Sequence, residues 1–376
     1  MTEQYLPFYI RASTGPRPRF ALYSVRVNKS LVTGTEAGSG LGICSRLRRA
    51  HSLTPLAQFL RIRPDPFPDI IPTVSDSTLD DLNERFSIPG CLTFKKAPGG
   101  LIYAEVNNDS AAARVFLHGA QVTDYAPVGS EPLLFLSALS RYEDNKAIRG
   151  GVPVSWPWFA DHPTDASKPA HGFARITEWT VNKTGLVSGG ETSITLGLAD
   201  SGATRELWDY SFELDLDISI GSALDLVLTM KNTGDKPFSI TSAFHGYYNI
   251  SAIQDIAISG LENAGYIDKV DGFKEKRQNG RIRISDETDR IYLHTDTECI
   301  IADPGFNRNI RVRKSGSSST VVWNPWKEKA RSMSGLGDGD YLRFVCVEAA
   351  NAGDDIVHLP PGGEHRLGLN VTTEER

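Results

Sequence analysis

Residues 211–220 read SFELDLDISI. Phe212, Leu214, Leu216 and Ile218 fall on one side of an extended chain; Glu213, Asp215 and Asp217 fall on the other. Successive side chains of a strand point to opposite faces, so this alternation predicts a strand with one buried and one wet face. Antiparallel sheets carry that pattern. The following stretch, ALDLVLTMKNTG (223–234), continues with a second apolar run and ends in a turn signal, KNTGDKP.

The same texture extends in both directions. Upstream lie LIYAEVNN (101–108), AARVFLHGAQVTDY (112–125), EWTVNKT (178–184) and ETSITLGLAD (191–200). Downstream lie FSITSAFHGYYNIS (238–251), RIRIS (281–285), DRIYLH (289–294), CIIADPG (299–305), NIRVRK (309–314), TVVWNPW (320–326), LRFVCVEAA (342–350) and HRLGLNV (365–371). Many short strands broken by turn residues predict an all-β chain, a large antiparallel β-sandwich with few short helices. One short helix is expected at DSTLDDLNERF (76–86), behind an Asp or Ser cap.

The chain has 376 residues and a formal net charge of −6. That balance argues against nucleic acid as a partner, since phosphate backbones demand a basic field. No apolar run approaches the roughly 20 residues that span a bilayer. Cys44, Cys91, Cys299 and Cys346 are far apart and form no CxxC, so neither a zinc site nor a disulfide framework is expected, and a reduced, cytoplasmic setting fits. The first stretch differs from the rest. Arg11, Arg17, Arg19, Arg26, Lys29, Arg46, Arg48, Arg49, Arg61 and Arg63 face only Glu3 and Glu36 before Pro64. Residues 1–75 are therefore expected to be a basic, Ser/Gly-rich extension, disordered or an organelle transit peptide. Residues 76–376 are expected to form the sandwich.

No GxSxG, no HExxH and no metal-ligand spacing is present. Four other segments carry candidate chemistry. IRGGVPVSWPWFADH (148–162) sets Arg149 beside two glycines, two prolines and two tryptophans, a composition foreign to a plain strand or a plain loop. Trp156 and Trp158 either pack on a ligand or fill core, and core is favoured. PAHGFARITEW (169–179) aims His171 and Arg175 from a tight bend. His245 sits in an apolar, aromatic stretch. Glu348 lies in a very apolar strand, where a carboxylate is costly unless it is paired or its pKa rises.

Together these pieces resemble the glucose-6-phosphate 1-epimerases, or hexose-6-phosphate mutarotases, of the galactose mutarotase-like superfamily. The matching pieces run in order: LLFLSALSRYEDNKAIRGGVPVSWPWFA, HGFAR, WDYSFELDLDISI, AFHGYYNIS, DRIY, VVWNPWKEKARSM and VCVEAA. The resemblance implies a galactose mutarotase-like supersandwich and an isomerase that interconverts the α and β anomers of hexose 6-phosphates. It implies His245 as general acid and Glu348 as base. Arg149 and Arg175 match arginines facing the substrate and its phosphate, Asp289 matches a residue that binds sugar hydroxyls, and His171 lines the pocket. It implies no cofactor, no metal, a small-molecule partner and a monomer. Aldose 1-epimerase action on free sugars, or non-catalytic carbohydrate binding, are the alternatives. Two departures stand out. The family's Gln before HGFAR is Ala170 here, and its LHTYF is FHGYY, with Gly246 in place of a hydroxyl residue.

The chemistry demanded by anomer exchange fits the residues independently. Opening a hemiacetal requires a base for the anomeric hydroxyl and an acid for the ring oxygen, in reversible roles. A carboxylate and a histidine tuned by burial suit that task. Two guanidinium groups suit a phosphate.

Overall fold

The computed structural model describes residues 78–187 and 189–376. The expected basic extension, 1–75, lies outside the described residues. The strand at Phe212–Ile220 buries every second residue; Phe212, Leu214, Leu216, Ile218 and Ile220 are at most 1% exposed. Each such side chain stabilises the fold by roughly 1.5–3 kcal/mol relative to exposure. It pairs antiparallel with Leu224–Asn232 and Thr192–Ala199, in one eight-stranded sheet. That sheet runs in the order Ala257–Ser259, Cys299–Asp303, Arg308–Ser315, Glu364–Glu375, Leu224–Asn232, Phe212–Ile220, Thr192–Ala199, Thr180–Leu186.

A second eight-stranded sheet positions the site. Its order is Lys274–Arg277, Gly265–Asp268, Thr288–Tyr292, Ser319–Asn324, Phe344–Asn351, Ser242–Phe244, Val154–Ser155, with Tyr247–Asn249 also paired to Phe344–Asn351. All these pairings are antiparallel. Val345, Val347 and Ala349 enter the main core between the layers, whereas Phe344, Cys346 and Ala350 join a smaller apolar cluster with Tyr247 and Trp323. All eight residues of the Phe344–Asn351 strand are buried, so a polar side chain there is cut off from water on either face. A four-stranded sheet, from Leu92–Lys96 to Gln121–Pro127, and a two-stranded ribbon complete the β structure.

Some local expectations are corrected. AARVFLHGAQVTDY is a hairpin, Ala111–Phe116 and Gln121–Pro127, because Gly119 and Ala120 both take positive φ and turn the chain. RIRIS makes only an isolated bridge, Ile258 to Ile282; Ile282 and Ile284 plug the core without a ladder. The first helix, Leu79–Phe86, is capped by Thr78, which accepts from the Asp81 amide while Asp81 returns the bond. Trp156 and Trp158, by contrast, fill core as expected, at 0% and 6% exposure. No described helix is long and apolar enough to cross a membrane.

Candidate active site

Phe344–Asn351 is flanked by a strand that is interrupted at His245–Gly246. Phe244 pairs with Ala349 before the break and Tyr247 with Cys346 after it. The register is the same on both sides, so His245 stands opposite Glu348. Residues directly opposite on one face of an antiparallel pair are natural side-chain partners. His245 Nδ1 lies 3.4 Å from Glu348 Oε1.

The break is held open by the segment that supplies Arg149. The amides of His245 and Tyr247 turn away from Phe344–Asn351 and donate to the carbonyls of Pro153 (2.9 Å) and Gly151 (2.8 Å). The two glycines of IRGGVP now have a reason. Gly151 has φ +63°, and a Cβ there would strike the carbonyl of Val122. Gly150, at φ +126°, would strike Phe135 in the same way. Only a residue without a side chain permits both the conformation and the approach. Gly172 of HGFAR plays the same part against the Trp156 carbonyl, and so brings His171 over the site.

The six residues expected from the sequence converge. The His171 and His245 rings are 5.3 Å apart, and His171 Nδ1 is 3.2 Å from Ser155 Oγ. Arg149 donates to the Tyr247 hydroxyl at 3.5 Å, and the Tyr247 ring stacks on His245 at 4.9 Å and 11°. Arg175 donates to the Ala170 carbonyl at 2.7 Å. Asp289 pairs with Lys269 at 2.8 Å and lies in register with Trp323, whose ring meets the edge of His245 at 5.5 Å.

Tyr247, Lys269, Trp323 and Phe159 are site residues that sequence reasoning missed. Phe159 meets the edge of His171, with Lys269 Nζ 5.6 Å from its ring centre. Tyr247 had a visible signal, an aromatic pair directly after His245. Lys269 had none, because its importance arises from a partner 20 residues away in sequence.

Burial is the largest influence on the titratable groups of the site. His245 is held down to about 3 by burial, then by repulsion from Arg175 and Arg149. Glu348 is pushed well above the carboxylate range by burial and then by the charge of Asp289. Burial and Arg175 likewise hold His171 well below the ordinary imidazole value. Burial thus disfavours the charged form of both members of the pair. Of the nine buried side-chain atoms without hydrogen-bond partners among the described residues, four belong to these residues: His245 Nδ1, Glu348 Oε2, and Nε of both Arg149 and Arg175. Among the described residues neither arginine has a carboxylate within ion-pair distance. Buried polar atoms are normally satisfied. The four lie on residues that converge at the interrupted strand.

A family model described as aldose 1-epimerase matches residues 104–372. A protein of Cenchrus ciliaris named "Putative glucose-6-phosphate 1-epimerase" is 34% identical over 72% of this chain and 84% of its own length. One of the same name from Escherichia coli K12 is 35% identical over 66% of this chain and 83% of its own. The crystal structure of a "putative mutarotase" from Salmonella typhimurium is 30% identical and superposes with a TM-score of 0.72, covering 77% of this chain and 96% of the other. The matched residues contain the interrupted strand, the buried carboxylate and the glycine-bearing arginine segments, and the chain belongs to the aldose 1-epimerase family.

Proposed function

We propose that this epimerase acts on hexose 6-phosphates, interconverting their α and β anomers. Glu348 takes the proton from the anomeric hydroxyl as His245 protonates the ring oxygen. The C1–O5 bond breaks and the open-chain aldehyde forms. Rotation about C1–C2 presents the other face of the carbonyl, and the same two groups return their protons in reverse roles as the ring closes. Each contributes on the order of 10²–10⁴ in rate. With Nδ1 against Glu348, Nε2 is the nitrogen left to serve the substrate. Asp289, braced by Lys269, is suited to sugar hydroxyls. Arg149 and Arg175 receive the phosphate, and His171 lines the pocket.

What carries the phosphate reading is the pair of guanidinium groups, each with a buried unpaired Nε, beside a His–Glu pair in cross-strand register. A free hexose offers no charge to answer two buried cations; a phosphate dianion does. The names of the relatives from Cenchrus ciliaris and Escherichia coli agree with this reading. Anomer exchange measured by NMR tests it. The protein should accelerate exchange of glucose 6-phosphate far more than that of glucose or galactose. Acceleration confined to the free sugars would sink the phosphate assignment, and acceleration of none would return the chain to a binding role.

A further inference from the structure

Lys269 stands in a row of residues that crosses the second eight-stranded sheet. Asp289 is in register with Trp323, Trp323 with Cys346, and Cys346 with Tyr247. Asp268 pairs with Arg290, and the Lys269 amide donates to the Asp289 carbonyl at 2.9 Å, so Lys269 continues the row beyond Asp289. Directly opposed residues of antiparallel strands share a face. Glu348, two residues from Cys346, is on that face too. The Phe344–Asn351 strand divides the row. On one side lie Tyr247, with Arg149 on its hydroxyl, and then Ser155, against which the bend that carries Arg175 seats His171. On the other side lie Trp323, Asp289 and Lys269.

We infer that Lys269 is a specificity-determining residue whose ammonium donates to a hydroxyl on the C2–C3 edge of the sugar. This rests on the hexose 6-phosphate reading. The bonding of the substrate assigns the edge. C1 must reach His245 and Glu348, and the phosphate arm leaves the ring at C5 toward the arginines. In a pyranose C2 is opposite C5, and C3 is opposite the ring oxygen. The C2–C3 edge therefore faces the strands of Asp289 and Lys269.

The setting of the ammonium suits that role. Lysine ordinarily keeps its head in water. Here the side chain is 19% exposed, with Nζ 2.8 Å from Asp289 Oδ2 and 5.6 Å from the ring centre of Phe159. Phe159 meets the edge of His171, and His171 lies beside His245, so the ammonium borders the same pocket. An ammonium has three N–H donors. Among the described residues Asp289 is its one acceptor, which leaves donors for the sugar. The carboxylate accepts from a hydroxyl and the ammonium donates to one, so the pair reads a hydroxyl in both senses. A site built in this way rejects an analogue that lacks the hydroxyl, because its own polar groups are left unpaired.

Anomer exchange followed by NMR on the full chain tests this with a cycle of variants and substrates. Asp289→Asn is compared with Asp289→Asn/Lys269→Met, so that the lysine is never taken from a charged aspartate. Both are assayed on glucose 6-phosphate and on its 2-deoxy and 3-deoxy analogues; the intrinsic exchange rate of each sugar cancels in the ratio. Loss of the ammonium should lower kcat/KM for glucose 6-phosphate about tenfold or more, as removal of a charged hydrogen-bond donor does. For one of the two deoxy sugars the loss should shrink to within about twofold. An equal loss on all three sugars would overturn the inference and make Lys269 structural. No loss on glucose 6-phosphate would overturn it as well; accompanied by a loss in Lys269→Met alone, it would mean that the lysine acts only by holding Asp289. Lys269→Leu in the Asp289→Asn background guards against packing damage and is scored in the same way. Wild type tests the underlying reading separately. If it does not accelerate glucose 6-phosphate beyond glucose, the hexose 6-phosphate reading falls, and this inference with it; if it does, a lysine blind to both hydroxyls sinks this inference alone.

Discussion

Restoring threonine at Gly246 separates a loss of chemistry from a rearrangement of packing. A Cβ at this position would lie 2.9 Å from the Tyr248 hydroxyl oxygen, 3.1 Å from Cζ and 3.3 Å from Cε2. Tyr248 is fully buried in the main core, and its hydroxyl has no hydrogen-bond partner. Position 246 therefore points toward the core, away from the face that carries Tyr247 and Glu348. The tyrosine hydroxyl occupies the room that a larger residue at 246 would need. The motif that this stretch resembles, LHTYF, has Thr and Phe where Gly246 and Tyr248 stand.

Gly246→Thr alone should overpack the core and cost about 1–3 kcal/mol. Tyr248→Phe alone removes a buried hydroxyl that makes no bond. It relieves a desolvation penalty of about 1–3 kcal/mol, less whatever the emptied space costs. In the double variant the threonine fits into that space, so the two changes should couple favourably by about 1–3 kcal/mol. Urea denaturation of the four proteins gives the cycle. Anomer exchange in the double variant should stay within a few-fold of wild type, because neither side chain reaches the substrate. Additive stabilities would show that the two positions do not compete for space. A large loss of turnover in the folded double variant would refute the placement of residue 246 behind the site.

Other outcomes follow from the same geometry. Glu348→Gln should lower kcat by about 10²–10⁴ with the fold retained, as near-ultraviolet circular dichroism would report; undiminished turnover would remove Glu348 from the chemistry. Its stability should also change with pH in a defined sense. The folded pKa of Glu348 lies above its unfolded value, so the native state binds the extra proton and wild-type stability drains as pH rises past the ordinary carboxylate value. Glu348→Gln lacks this drain and should gain on wild type as pH rises past the ordinary carboxylate value in denaturant titrations; a constant gap would contradict the burial assigned to the carboxyl. His245 works in the opposite sense. Its folded value of about 3 makes it lose stability as pH falls from about 6.5, so His245→Gln should flatten the acid limb. Arg149→Ala should raise KM for glucose 6-phosphate much more than for glucose, and equal effects would make the arginine structural.

The sandwich was legible because strands with one wet face alternate, as at Phe212–Ile220. The order of strands around the site was not. Phe344–Asn351 is buried on both faces and reads as a continuous apolar run, which carries no register. Glu348 was nonetheless visible in that run, since a carboxylate in apolar surroundings demands an explanation. His245 and Glu348 could be named from sequence, but not their adjacency, which needs the unbroken register on either side of the interruption. Lys269 was invisible for the same reason: a lysine in a turn-like stretch has no local mark of its ion pair with Asp289.

The departure at Ala170 bears on how Arg175, proposed to receive the phosphate, is held. Arg175 is oriented by a hydrogen bond to the main-chain carbonyl of residue 170, at 2.7 Å, and by its place in the short Ala174–Ile176 turn. A main-chain acceptor is present whatever side chain the residue carries, so this bond to Arg175 does not depend on the side chain at 170. A glutamine at 170 would offer at most one neutral donor to the ligand, a contribution of about 0.5–1.5 kcal/mol, against about 1.5–3 kcal/mol for a hydrogen bond to a charged group. Ala170→Gln should therefore tighten binding of glucose 6-phosphate by roughly tenfold at most and leave kcat nearly unchanged, whereas Arg175→Gln should damage both. If Ala170→Gln raised kcat by orders of magnitude, the two arginines would not be sufficient to seat the phosphate.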